Sequence, residues 1–372
     1  MKKMNKVFRL LCGLFIIALL AAACTPAPAP SAEVVKETVQ VQVEVTAAPS
    51  ELWQAADVMA ATGAEQCKPL AELPKNFKQP WKLGFIMTNT SHPFFQALHK
   101  GIEDAAKFYG VEVVLIDAGT NPQGDMLPTM LDQNVNAIGS MGDVDAIGAM
   151  TQEKGIPFIN VDFGRTDYSP YVYGIPTTIA GTNGGKLLAE GIKARLESDW
   201  KGREVFFAEL THGGIPSCVQ RTSAASKTVA QELGLDADHV ILMDVAVSAV
   251  EDQVKAFMTA HPDAVLGMIP CWDGLGISPL NNVIEMGRGK DIMLVTLGGD
   301  QPTLAFLATQ PEGYYGLLEF QPYCEGWGWT ETALAILEGL PFKAYVTDRT
   351  VTADKAKARY EELYGALPTP EP

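Results

Sequence analysis

Residues 82–95 read KLGFIMTNTSHPFF, and this stretch decides the fold. An apolar run, Leu83 to Met87, gives way to small polar residues, Thr88 to His92. Pro93, Phe94 and Phe95 then open a helical pattern. A short apolar run bounded by turn residues predicts a buried strand. Proline suits the first helical turn, where its missing N–H would lack an intrahelical partner anyway. The order is therefore strand, exposed loop, helix. In α/β proteins such a loop lies at the carboxyl end of a strand, where small molecules bind.

Outward from this stretch the same order repeats. The predicted helix from Phe94 to Tyr109 places Phe95, Leu98, Ile102, Ala105 and Ala106 on one face and stops at Gly110. Further strands are predicted at 111–116, 137–139, 157–161 and 171–173, with helices at 124–133 and 144–154. Pro128 must lie near the start of its helix or kink it, and Asp143 is expected to cap the helix that opens at Val144. A second series predicts strands at 204–209, 240–243, 264–269, 292–297 and 315–320. Its helices are predicted at 185–197, 221–233, 249–261, 279–286, 304–309, 327–337 and 353–363. Ser278 is expected to cap the helix whose first residue is Pro279. Such alternation demands parallel sheets with right-handed crossovers. Two series predict an α/β protein of two doubly wound parallel-sheet lobes, and a length of 372 residues suits two cores.

The front of the chain stands apart. Lys2, Lys3, Lys6 and Arg9 precede an unbroken apolar stretch that ends Ala21-Ala22-Ala23-Cys24. This is the pattern of a secretory signal over residues 1–23. Small residues followed by cysteine resemble a bacterial lipobox, which implies cleavage before Cys24 and a lipid on its thiol. Residues 24–50, rich in proline, alanine and alternating valine, read as a flexible tether. Residues 51–80 read as an ordered extension on the first lobe, and 364–372 as a disordered tail. Removing the signal lowers the basic residues from 28 to 24 against 44 acidic, so the net charge of −16 becomes −20. Nucleic acid is repelled by such a surface and is set aside as a partner. Cys67, Cys218, Cys271 and Cys324 remain, and an exported chain can pair them in any of three ways.

Several catalytic motifs fail on inspection. Gly181-Thr182-Asn183-Gly184-Gly185-Lys186 lacks a phosphate loop's leading glycine and has Leu187 where the metal-binding hydroxyl belongs. His212-Gly213-Gly214 has no accompanying nucleophile elbow. HExxH, GxGxxG and CxxC are absent. No cofactor or metal site is expected, and the chain is read as a non-enzyme.

The strand ends instead offer His92, Phe94 and Phe95; Ser140; Asp162 and Phe163; Arg221; Trp272 and Asp273; Asp300; and Gln321. A sugar needs that mixture. Its C–H faces pack on aromatic rings, and its hydroxyls both donate and accept. At this point residues 80–350 resemble the ribose-type (type 1) periplasmic sugar-binding proteins of bacterial ABC importers. The matching stretches are Pro93-Phe94-Phe95, Asp143-Val144-Asp145-Ala146-Ile147, Ile156-Pro157-Phe158-Ile159-Asn160-Val161-Asp162, Gly184-Gly185-Lys186, Thr259-Ala260-His261-Pro262-Asp263 and Gly299-Asp300. The resemblance implies Phe94 and Phe95 flanking a sugar ring, with Asp162, Arg221 and Asp300 on its hydroxyls and His92 where the family often has asparagine. Phe163 stands where arginine is usual, Trp272 replaces a polar residue, and Gln321 leaves the family's amide register open. The site is therefore more aromatic and less charged than a ribose site. The implied lobes are 81–176 plus 322–344 and 177–321 plus 345–363, joined by three crossings near 176, 321 and 344. The implied partners are a small ligand, an ABC permease with its ATPase, and a membrane through Cys24, with the receptor a monomer. A same-fold receptor for a non-sugar or nucleoside-like signal, and a tethered glycosidase using Asp162 and Asp300, are the alternatives.

Overall fold

The computed structural model describes Cys67 and residues 71–342 and 349–368. The signal, Cys24, the tether, most of the 51–80 extension, the crossing near 344 and residues 369–372 lie outside the described residues.

The first sheet has the order β2-β1-β3-β4-β5 and is parallel throughout. It is built from β1 (Lys82–Met87), β2 (Glu112–Asp117), β3 (Ala137–Ser140), β4 (Phe158–Val161) and β5 (Tyr171–Tyr173). Successive side chains of a strand point to opposite faces. Leu83, Phe85 and Met87 thus enter one core with Leu98 and Ile102 of α1 (Pro93–Tyr109). Trp327 and Trp329 of α9 (Pro322–Glu338) join that core. Ile86 faces a second core with Met130 of α2 (Leu127–Leu131) and Ile147 of α3 (Val144–Glu153). Burial on both faces is why β1 reads as a continuous apolar run.

The second sheet has the order β11-β10-β9-β8-β6-β7. Its strands are β6 (Val205–Thr211), β7 (Val240–Asp244), β8 (Val265–Pro270), β9 (Ile292–Gly298), β10 (Tyr314–Glu319) and β11 (Arg349–Thr352). Only β11 is antiparallel, which departs from the all-parallel expectation. The helices are α4 (Thr177–Leu196), α5 (Pro216–Leu233), α6 (Val250–Ala260), α7 (Asp273–Glu285), α8 (Gln301–Ala308) and α10 (Ala353–Tyr364). The chain leaves the first sheet through residues 174–176 and returns through 320–321.

Helix starts differ from the sequence reading in a consistent way. α4 begins eight residues before Gly185, because Gly181, Gly184 and Gly185 are interior helix positions rather than loop. They let α4 lie against α5: a Cβ on Gly181 would sit 1.9 Å from the Arg221 carbonyl oxygen. α7 begins at Asp273, so Pro279 lies inside it and Ser278 caps nothing; its hydroxyl donates to Glu251 Oε1 at 2.8 Å. α5 and α9 begin at Pro216 and Pro322, five residues before their expected starts. The helix expected at 124–133 divides into a 3₁₀ turn at Gln123–Met126 and α2, with Pro128 in the first turn of the latter. Asp143 precedes α3 but does not cap it. Its φ is 49°, and Oδ2 accepts instead from the Gly124 N–H at 2.8 Å. α10 takes in Tyr364, one residue beyond the helix end expected at Leu363.

Two disulfides choose among the three pairings: Cys67–Cys324 and Cys218–Cys271. The first ties the 51–80 extension to the opening turn of α9. Trp81 Nε1 adds a bond of 2.6 Å to Glu338 Oε1 at the other end of that helix.

Candidate functional site

The carboxyl ends of β1, β4, β8, β9 and β10 meet the first turns of α1, α5 and α7 around one cavity of about 310 Å³. The helix turns that the sequence reading missed in α5 and α7 are among its walls.

From the first lobe come His92, Phe94 and Phe95. His92 occupies the N-cap of α1, its Nδ1 accepting from the Phe94 N–H at 3.2 Å. Phe94 is buried and meets Phe95 and Phe320 edge to face, with ring centroids 5.4 and 6.4 Å apart. Phe95 is half-buried and faces the cavity while packing on the core behind it. Asp162 follows β4 with φ of 68° and is 1% exposed. Its Oδ1 accepts from the Ile175 N–H at 2.9 Å, and its carbonyl accepts from the Thr177 N–H at 2.7 Å, so it braces the first crossing. Gly174, with φ of 88°, must be glycine here, since a Cβ would come 2.1 Å from that Oδ1. Phe163 lies beside it, partly buried.

From the second lobe, Arg221 points in from α5 and is 9% exposed. Its Nη1 donates to the Cys271 carbonyl at 2.8 Å, and its guanidinium lies 5.0 Å from the Phe320 ring centroid. Trp272 and Asp273 stand where β8 turns into α7. Asp273 is 4% exposed, and its Oδ2 accepts from the Gly299 N–H at 2.7 Å.

Burial sets the electrostatics. Desolvation pushes the Asp162 carboxyl up to about 6, against the opposing pull of Arg221. Burial, reinforced by the like charge of Asp300, pushes Asp273 up to about 7. Burial lowers the Arg221 pKa, while Asp162, Glu325 and Asp273 hold it up. Arg221 Nε is buried without a hydrogen-bond partner, whereas Asp162 shares a side-chain hydrogen bond with the buried Glu325 and Asp273 one with Thr296.

Three residues proposed from sequence do not line this cavity. Ser140 is buried, its hydroxyl bonded to Gln123 Oε1 and to the Gly142 carbonyl. Asp300 caps α8, with Oδ1 accepting from the Thr303 N–H at 2.9 Å, and acts on the cavity only through Asp273. That position removes the carboxylate pair on which the glycosidase alternative rested. Gln321 precedes α9 with φ of 58°, and Phe320 occupies the wall. Phe320, Ile215 and the Cys218–Cys271 pair are wall residues the sequence reading left out of its site, while Met141, in the expected strand-end loop that opens at Ser140, lines it. Only for the adjacent aromatic Phe320 was there a local signal. Among the described residues no cluster of three metal-ligating side chains exists.

Two parallel α/β lobes, crossed more than once by the chain and enclosing a cavity lined by buried charged and aromatic side chains, define a solute receptor. Residues 83–341 match the periplasmic binding protein domain, and the chain belongs to that family. A curated relative, the ribose import binding protein of Bacillus subtilis strain 168, is 26% identical over 240 residues, covering 61% of this chain and 73% of the relative. Among solved structures, a carbohydrate transporter solute-binding protein from Agrobacterium radiobacter in complex with D-arabinose is similar, with a TM-score of 0.62. It is 21% identical, and the match covers 77% of this chain and 99% of that one. An ABC transporter periplasmic solute-binding protein from Actinobacillus succinogenes with bound D-allose gives a TM-score of 0.61 at 16% identity, covering 75% and 99% of the two chains. The chain is thus an extracytoplasmic binding protein of type 1 fold, not an enzyme.

Proposed function

We propose that this protein captures a monosaccharide between its lobes and delivers it to an ABC permease driven by its ATPase. The observation that carries this reading is the buried charged group of Asp162, Arg221 and Asp273 lining the cavity, with Arg221 Nε left without a partner, beside the aromatic rings of Phe94, Phe95 and Trp272. Buried polar atoms without partners are costly. Sugar hydroxyls donate to the two carboxylates and accept from the guanidinium, while ring C–H groups pack on the aromatics. The relatives that bear sugar names support the same assignment. The atoms come from both lobes, so ligand favours the closed arrangement of a hinge through residues 174–176, 320–321 and the segment near 344. The lobes divide at those crossings, as 81–176 plus 322–344 and 177–321 plus 345–363. A lipid on Cys24 and the tether after it hold a monomeric receptor close to its permease.

The test is a thermal-shift screen of residues 51–372 against pentoses, hexoses, polyols, nucleosides and amino acids. A ligand 100-fold above its Kd adds about 2.7 kcal/mol of stability. A shift with a monosaccharide is expected. A shift only with a nucleoside or amino acid contradicts the sugar assignment and leaves the fold intact.

A further inference from the structure

One buried acid stands behind the cavity and is not part of its lining. Glu325, in the first turn of α9, is 0% exposed. The backbone is fixed on both sides of it. Cys324 is tied to Cys67, and its carbonyl accepts from the Tyr173 hydroxyl at 3.3 Å. Gly326 brings α9 so close to α1 that a Cβ there would sit 2.0 Å from the Leu98 carbonyl oxygen. The side chain held between them meets the carboxyl of Asp162, with which it shares a hydrogen bond.

Two carboxylates cannot make that bond, because an ionised carboxylate only accepts. One of the two must carry a proton, and the surroundings decide which. Asp162 has the Ile175 N–H on Oδ1, and the Arg221 guanidinium favours its ionised form. Among the described residues no N–H or O–H donor reaches either Glu325 oxygen. The titratable groups on the neighbouring elements are engaged elsewhere. Tyr173 on β5 directs its hydroxyl to Cys324. Glu331, further along α9, accepts from the Tyr109 hydroxyl at 2.7 Å and from Trp327 Nε1 at 2.8 Å. Asp104 on α1 accepts from the Tyr323 hydroxyl at 3.0 Å, and Asp273 acts on Arg221 from α7. Burial, then the charge of Asp162 and the bond to it, raise the Glu325 pKa well above the ordinary range against the pull of Arg221. The same bond works downward on Asp162. The N-terminal end of α9 favours an ionised acid, but by less than burying an unpaired charge costs.

We propose that Glu325 is a positioning residue: its carboxyl is neutral at pH 7, and its O–H donates to Asp162, which is thereby held as an ionised acceptor on the cavity. Of about four acceptor sites on a carboxylate, the Ile175 N–H and the Glu325 O–H take two and leave the others for the ligand. The ligand group that meets Asp162 must then bring an O–H or N–H, and an ether or carbonyl oxygen is refused there. The inference rests on the sugar reading above only for this consequence in binding.

Infrared difference spectroscopy tests it on the ligand-free protein. At pH 7 the spectrum of wild type minus Glu325→Gln is expected to show the C=O stretch of a protonated carboxyl. A carboxylate band in its place overturns the inference. Glu325→Met removes the donor, so Asp162 is expected to ionise at higher pH than in wild type. That titration is read as the carboxylate absorbance lost when Asp162→Asn is added to each background. An unchanged titration of Asp162 overturns the positioning role, and Glu325→Leu gives the same reading should the methionine variant fail to fold. Calorimetry at pH 7 follows, with the tightest binder among D-ribose, D-arabinose, D-allose and D-galactose. Glu325→Gln keeps an N–H donor and is expected to hold Kd within about threefold, whereas Glu325→Met is expected to weaken it about tenfold or more. Full affinity in Glu325→Met overturns the positioning role. Should no sugar bind, the sugar reading fails, and the infrared bands still decide where the proton lies.

Discussion

Asp162 shows how one residue carries both structure and recognition. Its backbone and Oδ1 brace the first crossing, and its carboxyl lines the cavity, bonded to the buried Glu325 and drawn on by Arg221. The pH dependence separates those roles. The folded-state pKa values of Asp162 and Asp273, about 6 and 7, lie above the ordinary value of 3.8. Between these values the native state therefore holds more protons than the unfolded chain, and stability falls as pH rises through that window. The ligand-free protein is expected to melt at higher temperature at pH 5 than at pH 7. Sugar affinity runs the opposite way, because an ionised carboxylate is the better acceptor. A Kd about tenfold weaker at pH 5 than at pH 7 is expected from protonation of Asp162 alone. Asp162→Asn and Asp273→Asn each flatten the melting profile, and parallel profiles for wild type and both variants would contradict the assignment. Asp162 was legible in sequence because it ends a strand with a clear apolar pattern. Asp300 ends one too, yet the Asp300-Gln301-Pro302-Thr303 order is also a helix-capping order, and capping is the role it takes.

At the scale of elements, strands were legible and helix starts at the cleft were not. The strands carry unbroken apolar runs. The first turns of α5, α7 and α9, and the second and third turns of α4, carry glycine, proline or cysteine, which by local propensity read as loop. What makes them helical is tertiary: close packing of α4 on α5, the Cys218–Cys271 link and the Asp273–Gly299 bond. Gly181→Ala is therefore expected to destabilise by about 1–3 kcal/mol, although alanine is the better helix former. Urea unfolding with an unchanged m value checks this, and a stabilised variant would refute the close contact. The disulfide joins the helix bearing Arg221 to the junction bearing Trp272 and Asp273, and Arg221 is itself bonded to the Cys271 carbonyl. The paired change Cys218→Ala with Cys271→Ala is expected to weaken sugar binding about tenfold or more. Calorimetric titration at a temperature where the variant remains folded is the check. Unchanged affinity would make the link a purely global brace.

For the whole molecule, sequence alternation gave two lobes, but the antiparallel return of β11 escaped it because four residues with two exposed carry little pattern. The buried pair of Glu319 on β10 and Arg359 on α10 secures that return with two bonds of 2.8 Å. Arg359→Met leaves a carboxylate buried and unpaired and is expected to cost about 3–5 kcal/mol. Chemical denaturation measures it, and a loss within 0.5 kcal/mol, of the order seen for exposed pairs, would contradict a structural role. Above the lobes stands the central claim, that one sugar is gripped by both at once. The measurement that tests it most directly is calorimetric titration of wild type, Asp162→Asn and Arg221→Met with the best-bound monosaccharide. The first substitution alters the first lobe and the second alters the other. Loss of affinity by about tenfold or more in each variant, with melting still cooperative, is the predicted result. Retention of wild-type affinity by either variant would contradict a shared site.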